Sequence, residues 1–252
     1  IMLPEFDIAA QEQLRNSKAL VVGLGGLGCP AALYLASAGI GELVLADFDT
    51  VDLTNLQRQI AHDQSRVGQN KAESVADTVR GINSDVMVRV HSQKLANGVL
   101  SEVVSEVYVG VDCTDSFVSR SEINMACVRT RTPLVSGAAI RWEGQLSVFD
   151  FNTEKSPCYH CLYGDISEHQ LTCSESGVLS PVVGIVGSMQ ALETIKVITG
   201  LGQTASGRLL LLDGLFSCWR EMHLKKDPAC RVCGSGHNAQ EAEWQKTCFS
   251  KN

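Results

Sequence analysis

The apolar positions of this chain fall first in short unbroken runs, each followed by a turn and an amphipathic stretch. Ala19-Leu20-Val21-Val22 is such a run, and it leads through a glycine-rich turn into an apolar stretch of helical spacing. A short apolar run bounded by glycine reads as a buried strand. Alternation of such runs with helical periodicity reads as βαβ units on a parallel sheet. On this basis strands are expected at 18–22, 43–46, 86–90, 108–111 and 133–136. Helices are expected at 27–37, 68–82, 95–105 and 120–129, with a short amphipathic helix at 8–15 leading into the sheet. After Gly137 the texture changes. Residues 140–149 alternate like an antiparallel strand, 182–198 form an apolar helix between Pro181 and Gly200, and 208–212 and 218–224 read as two more strands. No unbroken apolar run reaches the ~18 residues of a membrane span. The expected fold is α/β: a Rossmann-like, mostly parallel sheet with helices on both faces, continuing into an antiparallel back half. Nothing resembling a linker divides it, so residues 1–234 read as one domain and 235–252 as a polar, flexible tail.

Composition narrows the function. At 44% hydrophobic and 19% charged residues, the chain can bury a core. Its net charge of −7 argues against a general nucleic-acid or anionic-membrane surface. The first residue is Ile rather than Met, which reads as a start inside a longer protein, and the absence of a basic-then-apolar leader fits a cytoplasmic one. Ten cysteines are many for such a chain. Four form two pairs, Cys158-x-x-Cys161 and Cys230-x-x-Cys233, able to supply the thiolates of a closed structural zinc site; redox chemistry is the alternative. Cys29, Cys113, Cys127 and Cys218 fall on apolar elements and read as core. Cys173 sits among polar residues and is either an accessible, reactive thiol or a small hydrophobe. Cys248 has no assignable role, and the six histidines show no metal or triad pattern.

The candidate chemistry gathers where the expected strands end. Gly23, Gly25 and Gly28 fill G-x-G-x-x-G between strand and helix, the pattern that lets backbone approach a phosphate at a helix N-terminus. Asp47 ends the second strand about 20 residues on, where such folds place a ribose-binding carboxylate. A polar stretch follows, including Asp49, Thr54, Asn55, Leu56, Gln57, Arg58 and Gln59, and Lys71 opens the next helix. Asp115 and Ser116 leave the fourth strand. Singly, each charged residue is more often a solvated surface group. Jointly, two cations and a carboxylate beside a glycine turn suit a triphosphate with Mg²⁺, the cations on phosphate and the carboxylate on metal. No G-x-x-x-x-G-K-[ST] occurs, so this is not a P-loop. The competing reading is an NAD(P)-dependent oxidoreductase using the same turn.

As an ordered set, Gly-Leu-Gly-Gly-Leu-Gly at 23–28, Asp-Phe-Asp-Thr-Val at 47–51, Asn-Leu-Gln-Arg-Gln at 55–59, Lys71, Cys-Thr-Asp at 113–115, the two C-x-x-C pairs and Cys173 resemble the HesA/MoeB/ThiF family of bacterial ubiquitin-activating-like adenylyltransferases. The residues at 136–145 and 171–173 are similar to its molybdopterin branch, and 30–35 and 46–47 to its thiamine-thiazole branch. The resemblance implies adenylation, by Mg-ATP, of the C-terminal Gly-Gly carboxylate of a small ubiquitin-like sulfur-carrier protein. It further implies that Gly26, with Gly25 and Gly28, contacts the nucleotide, that Asp47 binds the ribose, that Asp49 is among the nucleotide-binding residues, and that Thr54, Asn55, Leu56 and Gln57 lie along the nucleotide. Arg58 and Lys71 would bind the phosphates, Asp115 would hold Mg²⁺ with Ser116 beside it, and Cys173 would be the point of a covalent link to the carrier. It also implies a homodimer, with an arginine upstream of Ile1 reaching the partner's ATP site, and a separate sulfur-donor protein, since no sulfurtransferase segment follows Cys233.

Overall fold

A computed structural model describes residues 3–95, 97–164 and 177–234. Its centre is one eight-stranded sheet in the order β3-β2-β1-β4-β5-β6-β7-β8. The strands are β1 (Lys18–Val22), β2 (Glu42–Ala46), β3 (Met87–His91), β4 (Val109–Asp112), β5 (Leu134–Ile140), β6 (Glu143–Phe149), β7 (Arg208–Asp213) and β8 (Cys218–His223). The first five pair in parallel, and β5 through β8 pair antiparallel. Around the sheet lie α1 (Ile8–Arg15), α2 (Gly28–Ala38), α3 (Lys71–Ile82), α4 (Asn97–Ser105), α5 (Phe117–Thr130), the short α6 (Tyr159–Tyr163) and α7 (Ser180–Thr199).

The two sheet faces bury different helices. Ala19 and Val21 of β1 join a core with Leu35 of α2, Val75 of α3 and Val186 of α7. Leu20, between them in sequence, points the other way, to Val104 of α4 and Cys127 of α5. Alternation on a strand buried on both faces leaves no polar side, which is why β1, β2 and β4 read as unbroken apolar runs. Helix boundaries follow local chemistry. Asn70 starts α3 by accepting from the N–H groups of Ala72 and Glu73, and Gly39 ends α2 in the left-handed region.

Three details depart from the sequence pattern. The fifth strand extends to Ile140 and turns at Arg141-Trp142 into β6, where the pattern ended it at residue 136. Gly137 and two alanines lie there, poor strand formers by themselves that are held by pairing to β6; a Cβ at Gly137 would sit 2.4 Å from the Gln190 side chain, so glycine is what lets α7 pack closely here. Cys218 is only partly buried, because its strand β8 closes the sheet and most of its residues are exposed. And α7, at 20 residues, is long and apolar enough to span a bilayer by length and composition, a comparison the search for unbroken apolar runs missed. Half of it is buried against the sheet and α2, and it carries Gln190, Glu193 and Thr194 into the interior.

Candidate active site

β1 lies between β2 and β4, and the chain reaches β2 through α2 but β4 only after α3 and α4. Crevices open at the carboxyl ends of strands at such a reversal. A cleft of about 540 Å³ opens here, lined by the glycine turn, the loops after β2 and β4, and residues from the Asn55–Lys71 segment. The turn itself is shaped by two close approaches. Gly23 has φ 86°, and a Cβ there would lie 2.8 Å from the carbonyl oxygen of Cys113 on the neighbouring strand end. A Cβ at Gly28 would lie 1.9 Å from the carbonyl oxygen of Gly23, so helix α2 can rest on β1 only with glycine there. Gly25 and Gly26 line the cleft between them.

Asp47 closes the turn from the side. One carboxylate oxygen accepts from the Leu24 N–H at 2.6 Å and the other from the Asp49 N–H at 2.9 Å. Burial raises its pKa above the usual carboxylate range, against these two hydrogen bonds, which favour the anion. The loop is tied to α3 by Asn70, whose amide donates to the carbonyls of Asp47 and Asp49 at 3.0 and 3.1 Å. That places Lys71, the first residue of α3, under the loop, with Nζ 3.0 Å from Asp49 Oδ2. Lys71 is 7% exposed. Arg58 is held from its own segment, its guanidinium donating to the Thr54 carbonyl at 3.4 Å. Across the cleft, Asp112 is fully buried. It accepts from the N–H and hydroxyl of Thr114 and from the Ser136 hydroxyl, and so fixes the loop that carries Asp115.

The structure brings Gly25, Gly26, Asp47, Asp49, Asn55, Arg58, Lys71, Asp115 and Ser116 to one cleft. Ser116 also caps α5, accepting from the Ser119 N–H, and this starts the helix at Phe117, earlier than the pattern at 120 suggested. Gly28 lies behind the turn, and Thr54, Leu56 and Gln57 do not line the cleft. Cys173 lies outside the described residues. Among the lining residues that sequence reading did not assign to the site are Gln59, Lys94, Thr114 and Arg120, although Gln59 and Thr114 stood in the sequence motifs. Gln59 stood within the Asn55–Gln59 motif, and its 3% exposure at a polar position was the missing signal. Arg120, whose guanidinium donates to the Thr114 carbonyl, is buried, although a lone charged residue in a helix is more often solvated.

The four thiols of the C-x-x-C pairs meet beside α6, whose Tyr159 N–H donates to Asn124 of α5. Their ligand atoms lie within 4.8 Å of one another. Three separations are given by Cys158–Cys161 at 3.9 Å, Cys158–Cys230 at 3.7 Å and Cys161–Cys233 at 3.4 Å. A tetrahedron with Zn–S near 2.3 Å sets its sulfurs about 3.8 Å apart, so the donor set fits zinc. The Val232 N–H donates to Cys230 Sγ at 3.5 Å, and His160 Nδ1 lies 3.5 Å from the same sulfur. Such outer contacts orient thiolate ligands. All four positions of such a tetrahedron would be filled by protein sulfurs, so a metal here would be structural.

A glycine-turn α/β fold with cations and carboxylates around a cleft at the strand ends defines a nucleotide-binding protein. The chain belongs to the ThiF family, whose model matches residues 1–232. It is 46% identical over 234 residues to the molybdopterin-synthase adenylyltransferase of Escherichia coli (strain K12), covering 93% of this chain and 94% of that one. It is 43% identical over 237 residues to the adenylyltransferase and sulfurtransferase MOCS3 of Caenorhabditis briggsae, covering 93% of this chain and 59% of that one. A crystal structure of E. coli MccB with MccA-N7isoASN shares the fold at a TM-score of 0.80 and 22% identity, over 90% of this chain and 69% of that chain. The dehydrogenase reading finds no support in this family.

Proposed function

We propose that this protein is an adenylyltransferase that activates the C-terminal carboxylate of a small ubiquitin-like sulfur carrier ending in Gly-Gly. The observation that carries the proposal is the convergence of Arg58, Lys71, Asp47 and Asp115 on the cleft beneath the glycine turn, in a chain 46% identical to a molybdopterin-synthase adenylyltransferase. A carboxylate oxygen of the carrier attacks the α-phosphorus of ATP. The bond from that phosphorus to the pyrophosphate oxygen breaks, leaving an acyl-adenylate and pyrophosphate. The nucleophile is already an anion, so no protein base is needed, and the protein's contribution is alignment and charge stabilisation. Asp47 accepts from the ribose, and the N–H groups of the turn with Arg58 and Lys71 take the growing phosphate charge. Asp115, an exposed oxygen donor on the cleft, would hold Mg²⁺, which offsets charge on the leaving pyrophosphate.

The finer reading assigns the carrier to molybdopterin or thiamine-thiazole sulfur transfer. It takes the active form as a cytoplasmic homodimer that passes its adenylate to a separate sulfur donor, with Cys173 as a candidate attachment point. Exchange of labelled pyrophosphate into ATP tests the proposal: it should require the carrier. Tight NADH binding with no ATP binding would favour the oxidoreductase instead.

A further inference from the structure

One buried side chain outside the cleft touches all three segments that form the phosphate end. His62 is 7% exposed. Its Nε2 lies 3.1 Å from the carbonyl oxygen of Leu24, in the glycine turn, and its Nδ1 lies 2.8 Å from Ser74 Oγ on α3. A carbonyl oxygen only accepts, so Nε2 carries the proton. Nδ1 is then the acceptor and the Ser74 hydroxyl the donor. Both neighbours therefore select the same neutral tautomer. The Cys29 thiol of α2 donates to the same Leu24 carbonyl at 3.3 Å, and its sulfur is 3.7 Å from Nε2. Leu24 is thus gripped at both ends of its residue, its N–H by Asp47 and its carbonyl by His62 and Cys29. His62 follows Arg58 on one segment, and Ser74 follows Lys71 on the first turn of α3.

We propose that His62 is a positioning residue for the nucleotide, a neutral imidazole that holds the glycine turn in register with Arg58 and Lys71. This rests on the adenylyltransferase reading. The charged groups facing the ring are Lys71, Arg66 and Asp63, with the Cys29 thiol pushed up to about 12 by burial and so uncharged. Arg66 also donates to the Ser74 carbonyl, which fixes the helix turn that presents the hydroxyl. Burial first, and then the two cations, hold the imidazole below the usual histidine range, against the pull of the Leu24 carbonyl and Asp63. A second proton would have to go on Nδ1, where the Ser74 hydroxyl already donates, and would place a charge beside Lys71 and Arg66.

The test measures carrier-dependent pyrophosphate exchange, ATP affinity by calorimetry and the pH profile for wild type, His62→Leu, His62→Gln and Ser74→Ala. His62→Leu should lower kcat and raise KM for ATP, each by about tenfold or more, since misplacement of about 1 Å can cost a hundredfold. His62→Gln keeps a donor for the Leu24 carbonyl and should recover most of the loss. Because His62 is held below the usual histidine range, wild-type activity should persist through that range and fall only on further acidification, and His62→Gln should lack that acid limb. Ser74→Ala frees Nδ1 and should move the limb to higher pH; it serves if His62→Leu does not fold, because a purely structural role would leave the limb in place. Unchanged kcat and KM in His62→Leu, or the same acid limb in His62→Gln, overturns the proposal while leaving the adenylyltransferase reading intact. A folded wild type that neither binds ATP nor exchanges pyrophosphate overturns both.

Discussion

At the scale of single residues, the site is built from groups that would be ordinary elsewhere. Lys71 and Asp49 form an ion pair with the carboxylate half exposed, the kind of contact that adds little to stability. Its use is to hold Nζ at the cleft. Arg58 has one long hydrogen bond to its own segment and is otherwise directed by the fold. Arg58→Ala or Lys71→Ala should therefore leave thermal stability nearly unchanged for Arg58 and modestly lowered for Lys71. Either should reduce pyrophosphate exchange by about 100-fold or more, the scale of losing one preorganised charge-stabilising donor. Steady-state exchange rates at saturating ATP check this, and a loss confined to KM would mean the side chain binds the ground state only. The polar residues of the cleft were legible in the sequence because their spacing puts them at strand ends. Arg120 and His62 were not, and Gln59 stood in a motif without a role, because a polar side chain inside a helical or turn segment looks solvated until its neighbours are known.

At the scale of elements, α7 is the structural partner of the site. Gln190 is fully buried, donates to the Asp112 carbonyl at 2.7 Å and accepts from the Cys113 thiol at 3.4 Å. It thereby fixes the end of β4, from which Asp115 leaves. Gln190→Leu keeps the volume but leaves that carbonyl buried and unpaired. It should cost about 1–3 kcal/mol in denaturant unfolding and lower exchange activity, whereas a substitution on the exposed face of α7 should do neither. The C-terminal thiol cluster joins elements that are 72 residues apart. Metal analysis of protein prepared without chelator should find about one zinc per chain. Cys230→Ser should lose it together with a large drop in Tm. Protein that is metal-free yet equally stable would show that the thiols do not need an ion. The parallel half was readable from periodicity because strands buried on both faces are unbroken apolar runs. The antiparallel strand at 140–149 was readable too, but the extension of β5 through Gly137-Ala138-Ala139 was not, because those residues have little strand propensity of their own.

At the scale of the whole molecule, one sheet carries the glycine turn at the carboxyl end of β1, and the thiol cluster ties α6 to the segment after β8. The chain's net charge of −7 sits badly with an anionic substrate, and four cations on the cleft offset four carboxylates there. Local arrangement rather than overall charge must attract the triphosphate. Function was legible at this scale only through the joint spacing of glycines, acids and cations, since the fold alone serves dehydrogenases equally well. The most direct measurement is exchange of labelled pyrophosphate into ATP with purified chain and a panel of small carrier proteins, each intact and lacking its terminal glycine. The account predicts exchange with at least one intact Gly-Gly carrier, none with its truncated form, and near-background exchange when Arg58→Ala replaces the wild type. Exchange that proceeds equally with truncated carriers, or that is absent with every intact carrier although the protein is folded and binds ATP, would contradict it.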